Sequence, residues 1–484
     1  MSAELNGIGP RIGWLVALCL LAESAQAHSF GKLYTLPVPF WLYGWASAAA
    51  LLLSFLLLAW FFSQPDTRRA SSAAAPVYRD LPRGLLPLLQ GTALLTLLLC
   101  IAAGLFGTQD AYRNLNMTLF WIVFVLGMAY LTTLAGDVFA LANPWRLLAR
   151  GLSRGRYAYP DWLGYWPALL LYMAFIWSEL FAGFSPQALA LLLIGYTLLN
   201  LLASWLFGVA AWFHYGEFFS VFFRLLGKMS PLAYQAAAPT RAAGWRWRRP
   251  GAGLLTSQPQ QLSEVLFILF MLSSTAFDGL HATETWALLF WRDLFALLSP
   301  WLGSNIVTAY ATLQPLYALY QIVALLLSPL LYLAMFAVFL WMMKRMTACP
   351  VSLHALICRF SYSLLPIVVV YHFTHYFTLV LGQGAQLPAL LSDPLGTGWN
   401  WLALDTASSS GLLLDMAWVW HIQVAAILLG HIASVVAAHE VARRLFPSPR
   451  MVWLSQLPLL ILMMAFTVFG LWILAQPLNT EVLR

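Results

Sequence analysis

The chain predicts an all-α polytopic integral membrane protein with about ten transmembrane helices after a cleavable signal peptide. Three observations carry that prediction. Its 484 residues are 61% hydrophobic and 9% charged, with a mean hydropathy of +0.77, which is far from the composition of soluble domains. Apolar runs of roughly 20 residues recur along it, the length a helix needs to cross the hydrocarbon core. Lys and Arg residues collect in alternate loops, as they do in cytoplasmic loops of membrane proteins.

The first element is the leader. Arg11 precedes the apolar run Ile12 to Ala22, and Ala25-Gln26-Ala27 is a small-x-small cleavage motif. Residues 1–27 read as a signal peptide, and 28–484 as a single transmembrane helical domain. Cleavage would leave His28 as the first residue, with an amino group and a ring suited to one copper ion. Candidate spans follow at 38–62, 84–106, 116–142, 163–183, 187–213, 261–277, 318–343, 359–381, 411–438 and 453–475.

Charge orients them. Arg68, Arg69, Arg79 and Arg83 follow the first span. Arg146, Arg150, Arg154 and Arg156 follow the third. Arg224, Lys228, Arg241, Arg246, Arg248 and Arg249 follow the fifth, Lys344 and Arg345 the seventh, and Arg443, Arg444 and Arg450 the ninth. All of these loops fall on one side, the cytoplasmic side of a bacterial inner membrane. The basic loop at about 224–260 holds Trp245-Arg246-Trp247-Arg248-Arg249, expected at lipid headgroups rather than on nucleic acid. Residues at about 278–317 read as an outer surface segment of one or two helices. No internal repeat and no separate soluble domain stand out. Cys19, Cys100, Cys349 and Cys358 have no metal-ligand spacing and point to no disulfide.

Polar groups in such a chain are costly and mark candidate sites. His372 and His375 lie one helical turn apart in the eighth span. His421 in the ninth span falls at a matching depth. Three imidazoles and a water would make a catalytic metal site. Asp278, His281 and Glu284 follow the sixth span, and Glu179 ends the fourth on the same side. The metal set is therefore His372, His375, His421, His281 and His28, with Glu284 or Asp278 as a catalytic base. The metal expected at such a site is zinc or copper. His421 and His439 are 18 residues apart on one helix face, an arrangement compatible with a haem, although the eighth span offers only His354 as a second inner partner. Asp137, Asn143, His214, Glu217, His439 and Glu440 read as structural groups at inner helix ends. The middle of the membrane is left with His431, Asn200 and a few hydroxyls, little for a transport path.

The segment His28-Ser29-Phe30-Gly31-Lys32-Leu33-Tyr34-Thr35-Leu36-Pro37-Val38-Pro39-Phe40-Trp41-Leu42-Tyr43 resembles the mature start of bacterial membrane proteins commonly labelled fenitrothion hydrolase. Gly136-Asp137-Val138-Phe139-Ala140, Asn143-Pro144-Trp145-Arg146 and His372-Phe373-Thr374-His375-Tyr376 resemble them too. The resemblance runs over most of the chain. It implies hydrolysis of an organophosphorothioate triester, a small lipophilic substrate, by a membrane-embedded enzyme. A metal there would activate water and polarise the phosphorus centre. Two other readings use the same residues: a copper- or haem-linked redox or metal-handling protein, and a transporter or structural subunit. The partners expected are the lipid bilayer and another membrane or periplasmic protein.

Overall fold

A computed structural model of the protein describes residues 40–61, 77–152, 155–235, 243–302, 306–401 and 416–476. The leader, His28 and Asp415 lie outside the described residues. The structure is a helical bundle. Its long members are α1 (Phe40–Phe61), α2 (Leu85–Phe106), α3 (Leu115–Ala135), α7 (Pro186–Phe207), α9 (Leu262–His281), α10 (Ile306–Thr347), α11 (Leu353–Gly384), α12 (Met416–Leu445) and α13 (Pro449–Ala475). Among the described residues these nine are long and apolar enough to cross a membrane. Between α3 and α7 lies α6 (Trp166–Phe181), a shorter apolar helix of 16 residues. Its length of about 24 Å, at 1.5 Å per residue, falls short of the roughly 30 Å hydrocarbon core.

The loops sort into two faces. Leu81 N donates to Ala243 O at 2.9 Å and Arg156 N to Trp205 O at 3.0 Å. Arg444 reaches Leu255 O at 2.7 Å. These contacts gather the Arg-rich loops on one basic face. On the opposite face Thr108 N donates to Leu395 O at 2.8 Å and Gln187 N to Gln109 Oε1 at 3.0 Å. The Trp/Arg run expected at headgroups is a strand. β1 (Arg79–Asp80), β2 (Leu232–Gln235) and β3 (Gly244–Trp247) form an antiparallel sheet in the order β1-β3-β2 on the basic face. Arg246 and Tyr78 stack there as a cation–π pair at 5.3 Å.

The centre of the bundle is α9, with 94% of its span buried. It packs on α6, α10, α11 and α13. Its residues carry few charges but include Ser263, Glu264, Ser273, Ser274, Thr275 and Asp278, all buried. A helix polar in this way is stable in a membrane only when protein surrounds it. The segment expected as an outer surface piece divides. Residues Asp278–His281 belong to α9. Three short helical pieces then cover Glu284–Leu302, and α10 begins at Ile306 with 42 residues.

Two expected spans end early, and here the chain re-enters the bundle. The span expected over 116–142 stops at Ala135, where Gly136 turns at φ +87°. Two short helices follow, α4 (Val138–Ala142) and α5 (Pro144–Ala149). The span expected over 187–213 stops at Phe207, where Gly208 has φ +84°. Two further pieces, Val209–Ala211 and Trp212–Gly216, then lead to Glu217 and α8 (Phe218–Gly227). A Cβ at Gly216 would strike the Trp212 ring, so only glycine fits this bend. Nine helical steps separate Gly227, at the basic face, from Phe218. At 1.5 Å each this is about 13 Å, nearly half of a hydrocarbon core. Sequence reading put Glu217 at an inner helix end; the structure carries it back to mid-depth.

Candidate functional site

The two re-entrant pieces meet tip to tip. Asn143 caps α5 by accepting from Arg146 N at 2.9 Å, and Pro144 at the first helical position needs no donor partner. Its Nδ2 donates to Ser220 Oγ at 3.1 Å and to Glu217 Oε2 at 3.4 Å. Glu217 is fully buried and caps α8. It accepts from Phe219 N at 3.0 Å, from Ser220 N at 2.7 Å and from the Tyr196 hydroxyl. Tyr196 sits at the middle of α7. Four donors and a helix N-terminus converge on this one carboxyl group. Irregular backbone at membrane depth is tolerated where protein surrounds it in this way.

Beyond that tip, toward the opposite face, lies a second polar centre. Asp278 on α9 is its hub. His375 Nε2 donates to Asp278 Oδ2 at 2.6 Å. Tyr376 places its hydroxyl 3.1 Å from Asp278 Oδ2 and 3.1 Å from Glu179 Oε1. Three helices supply these groups: Glu179 comes from α6, Asp278 from α9, and His375 and Tyr376 from α11. One hydroxyl has one proton to donate. It either shares that proton between the two carboxyls in a three-centre bond, or donates to one and accepts from the other when that one is protonated.

Glu179 and Asp278 also line a cavity with His372, Tyr172, Phe175 and Phe222. Its volume of about 20 Å³ accommodates a water molecule and falls well below the roughly 300 Å³ of a drug-sized ligand pocket. Its wall facing the basic side includes Phe218 and Phe219, the residues that follow Glu217. The α3 wall contributes Val125 and Leu126 from a π-wound stretch, Thr118–Gly127.

The sequence-predicted residues divide on this geometry. Asp278, His375 and Glu179 come together. His372 lines the same cavity, packed on Tyr376 with ring centroids 5.1 Å apart. His281 flanks the cluster, its Nδ1 2.7 Å from Asp278 O and its ring stacked on Phe277. His421 is exposed on α12, with Nδ1 2.6 Å from Ala417 O. Glu284 is exposed at the start of the next helical piece. The arrangement expected for a metal, His372 with His375 and His421, is not assembled. Among the described residues no three His, Cys, Asp or Glu side chains are grouped to hold a metal ion. The physical reason is rotational: equal depth on two helices does not set which faces meet. His431 is buried beside Tyr371, and its Nδ1 lies 2.8 Å from Ile427 O. His439 pairs with Gln456 at 2.8 Å.

Tyr376 was missed as a functional group because it read as a flank of the two histidines. Glu217 and Asn143 were missed because hydropathy does not register the direction of the chain. The signal was present in Asn143-Pro144, a helix start inside an apolar run. It was present too in the echo of Gly136-Asp137 before Arg146-Leu147-Leu148 by Gly216-Glu217 before Arg224-Leu225-Leu226. Comparison with family models, with curated proteins and with solved structures finds no match to this chain.

Proposed function

We propose that this multi-pass membrane protein is a proton-coupled transporter whose exchange site is Glu179, Asp278, His375 and Tyr376. The observation that carries the reading is the single Tyr376 hydroxyl set between two carboxyl groups. Buried intramembrane carboxylates that share protons with His and Tyr are the parts of proton relays. Broken helices beneath such a site are a feature of secondary transporters, and the Asn143–Glu217 pair supplies them. The seam between α6, α9 and α11 is where a substrate would enter.

The test is infrared difference spectroscopy of the whole protein during a pH titration. A protonated-carboxyl band should rise on acidification in wild type and vanish in Glu179→Gln or Asp278→Asn. His421→Ala should leave it unchanged. A spectrum without that band, or one insensitive to both variants, refutes the site. Acidification of proteoliposomes driven by candidate substrates then identifies the cargo.

One observation favours a hydrolase instead. The cavity takes a water beside two carboxyl groups, and a carboxylate can deprotonate a water to attack a lipophilic triester. Release of nitrophenolate from such a triester by wild type, lost in Asp278→Asn, would select that reading. Zinc or copper retained through purification would bring back a metal-assisted form of it.

A further inference from the structure

The register of α9 against α11 repeats itself at the basic end of the bundle. Glu264 and Asp278 are 14 residues apart on α9, and Tyr362 and Tyr376 are 14 apart on the α11 run. The two helices run the same way. Tyr362 donates its hydroxyl to Glu264 Oε1 at 2.6 Å, as Tyr376 reaches Asp278, with the same sequence separation of 98 in both pairs. Fourteen residues are nearly four turns. The two pairs therefore share one face of the helix pair, about 21 Å apart by the rise per residue.

The basic-end pair is as enclosed as its counterpart: Glu264 is 6% exposed and Tyr362 4%. It also has a neighbour able to exchange protons. Lys228 Nζ stands 4.4 Å over the Tyr362 ring and donates to Ser257 Oγ at 2.8 Å. Tyr165, Lys228, Cys358 and Arg224 are the titratable and charged groups beside the pair. The Lys228 ammonium and the Ser257 hydroxyl give this buried pair a polar edge toward the basic face. A carboxyl that loads and unloads from the basic face needs both a buried acceptor and a polar entrance, and Lys228 and Ser257 provide the entrance.

We propose that Glu264, with Tyr362 and Lys228, is a second proton-exchange site, opening to the basic face. The inference rests on reading the Glu179–Asp278 cluster as a proton-exchange site. In the step, a proton from the basic-side solution binds a Glu264 oxygen and gives the neutral carboxyl. Only that O–H bond forms, and release reverses it. The Tyr362 hydroxyl stays bonded to the carboxyl in both states by turning from donor to acceptor. The two sites would then be the two ends of one exchange path along α9.

The experiment is the same infrared titration on wild type, Glu264→Gln, Glu179→Gln and Tyr362→Phe. Two separable carboxyl bands are expected. Glu264→Gln should remove one and keep the other, and Glu179→Gln should remove the other. Tyr362→Phe keeps the ring, removes the hydroxyl, and should shift only the Glu264 band, so the inference stays open to refutation if Glu264→Gln does not fold. A single band, lost in Glu179→Gln and untouched by Glu264→Gln and Tyr362→Phe, overturns this inference and leaves the first site standing. If only the band lost in Glu179→Gln is missing, the first reading fails and Glu264 is an isolated site.

Discussion

Tyr376 is central to the chemistry of the cluster because its hydroxyl touches both carboxyls. Tyr376→Phe leaves its ring packing against His372 and His375 in place and takes away the hydroxyl. Two buried acceptors then lose their shared donor, a loss of about 1–3 kcal/mol, measurable by thermal unfolding in detergent. Glu179→Gln removes one end of the same bridge. The double variant should therefore lose less than the sum of the single losses; strict additivity would show that the hydroxyl does not link the two. Part of this was legible in the sequence. Asp278, His375 and Glu179 stood out as polar groups toward one side of the membrane, in or just after apolar spans. His421 stood out equally, yet it turns to the exposed side of α12. Depth follows from counting residues, but facing depends on helix rotation, which side-chain packing sets and a single sequence does not record.

At the level of elements, the re-entrant pair is where hydropathy misleads. Residues 116–142 and 187–213 are predominantly apolar, so each reads as one long span. In the structure each breaks at a glycine and turns back. Asn143→Ala would take the cap from α5 and donors from Glu217 and Ser220. Cap loss costs about 1 kcal/mol, and losing one of the four donors to Glu217 adds about 0.5–1.5 kcal/mol, since Tyr196, Phe219 N and Ser220 N remain. An unchanged unfolding midpoint would mean that the tips do not hold each other. Asp137, at the basic end of this unit, gives a pH signature. Burial pushes its carboxyl up to about 6, against the opposing pull of the Ala140 N–H and of Arg224 and Arg146. Between the usual carboxylate value and about 6, the folded state holds the proton and the unfolded state does not. Stability contributed by Asp137 therefore rises as pH falls through 6 and is lost as pH rises through it. Asp137→Asn keeps a capping side chain for Ala140 N and has no proton to exchange. Melting of the variant should lack that pH response, and an identical profile for the two proteins would contradict the assignment.

Across the whole molecule, α9 and the packing of α3 on α11 join two groups of helices. On one side α2 packs on α7, α6 lies along α9, and the re-entrant pieces fill the space between α3, α6 and α7. On the other, α10, α11, α12, α13 and α1 pack among themselves. The Glu179–Tyr376–Asp278 bridge crosses this division: α6 belongs to the first group and α11 to the second. A bridge whose hydrogen bonds depend on a bound proton ties the groups together when protonated. When the proton leaves, two carboxylates share the tyrosine hydroxyl with only His375 beside Asp278 to offset them, and like charges in a low-dielectric interior repel strongly. Loss of the proton should thus loosen the seam, the two-state element that an alternating-access mechanism requires. Hydrogen–deuterium exchange reads this directly. Amides at 175–181 of α6 and 274–281 of α9 should exchange faster in mildly alkaline buffer than in mildly acidic buffer, after correction for intrinsic rates. In Glu179→Gln the amide cannot ionise, and its NH₂ can donate to the Tyr376 oxygen, so the bridge should persist and the difference between buffers should disappear. The β1–β3–β2 sheet, far from the seam on the basic face, serves as the internal reference and should respond equally in both proteins. A seam that exchanges alike in both buffers in wild type would mean that the two groups of helices do not separate on proton loss. The cluster would then be a fixed acid–base site, as the hydrolase reading requires.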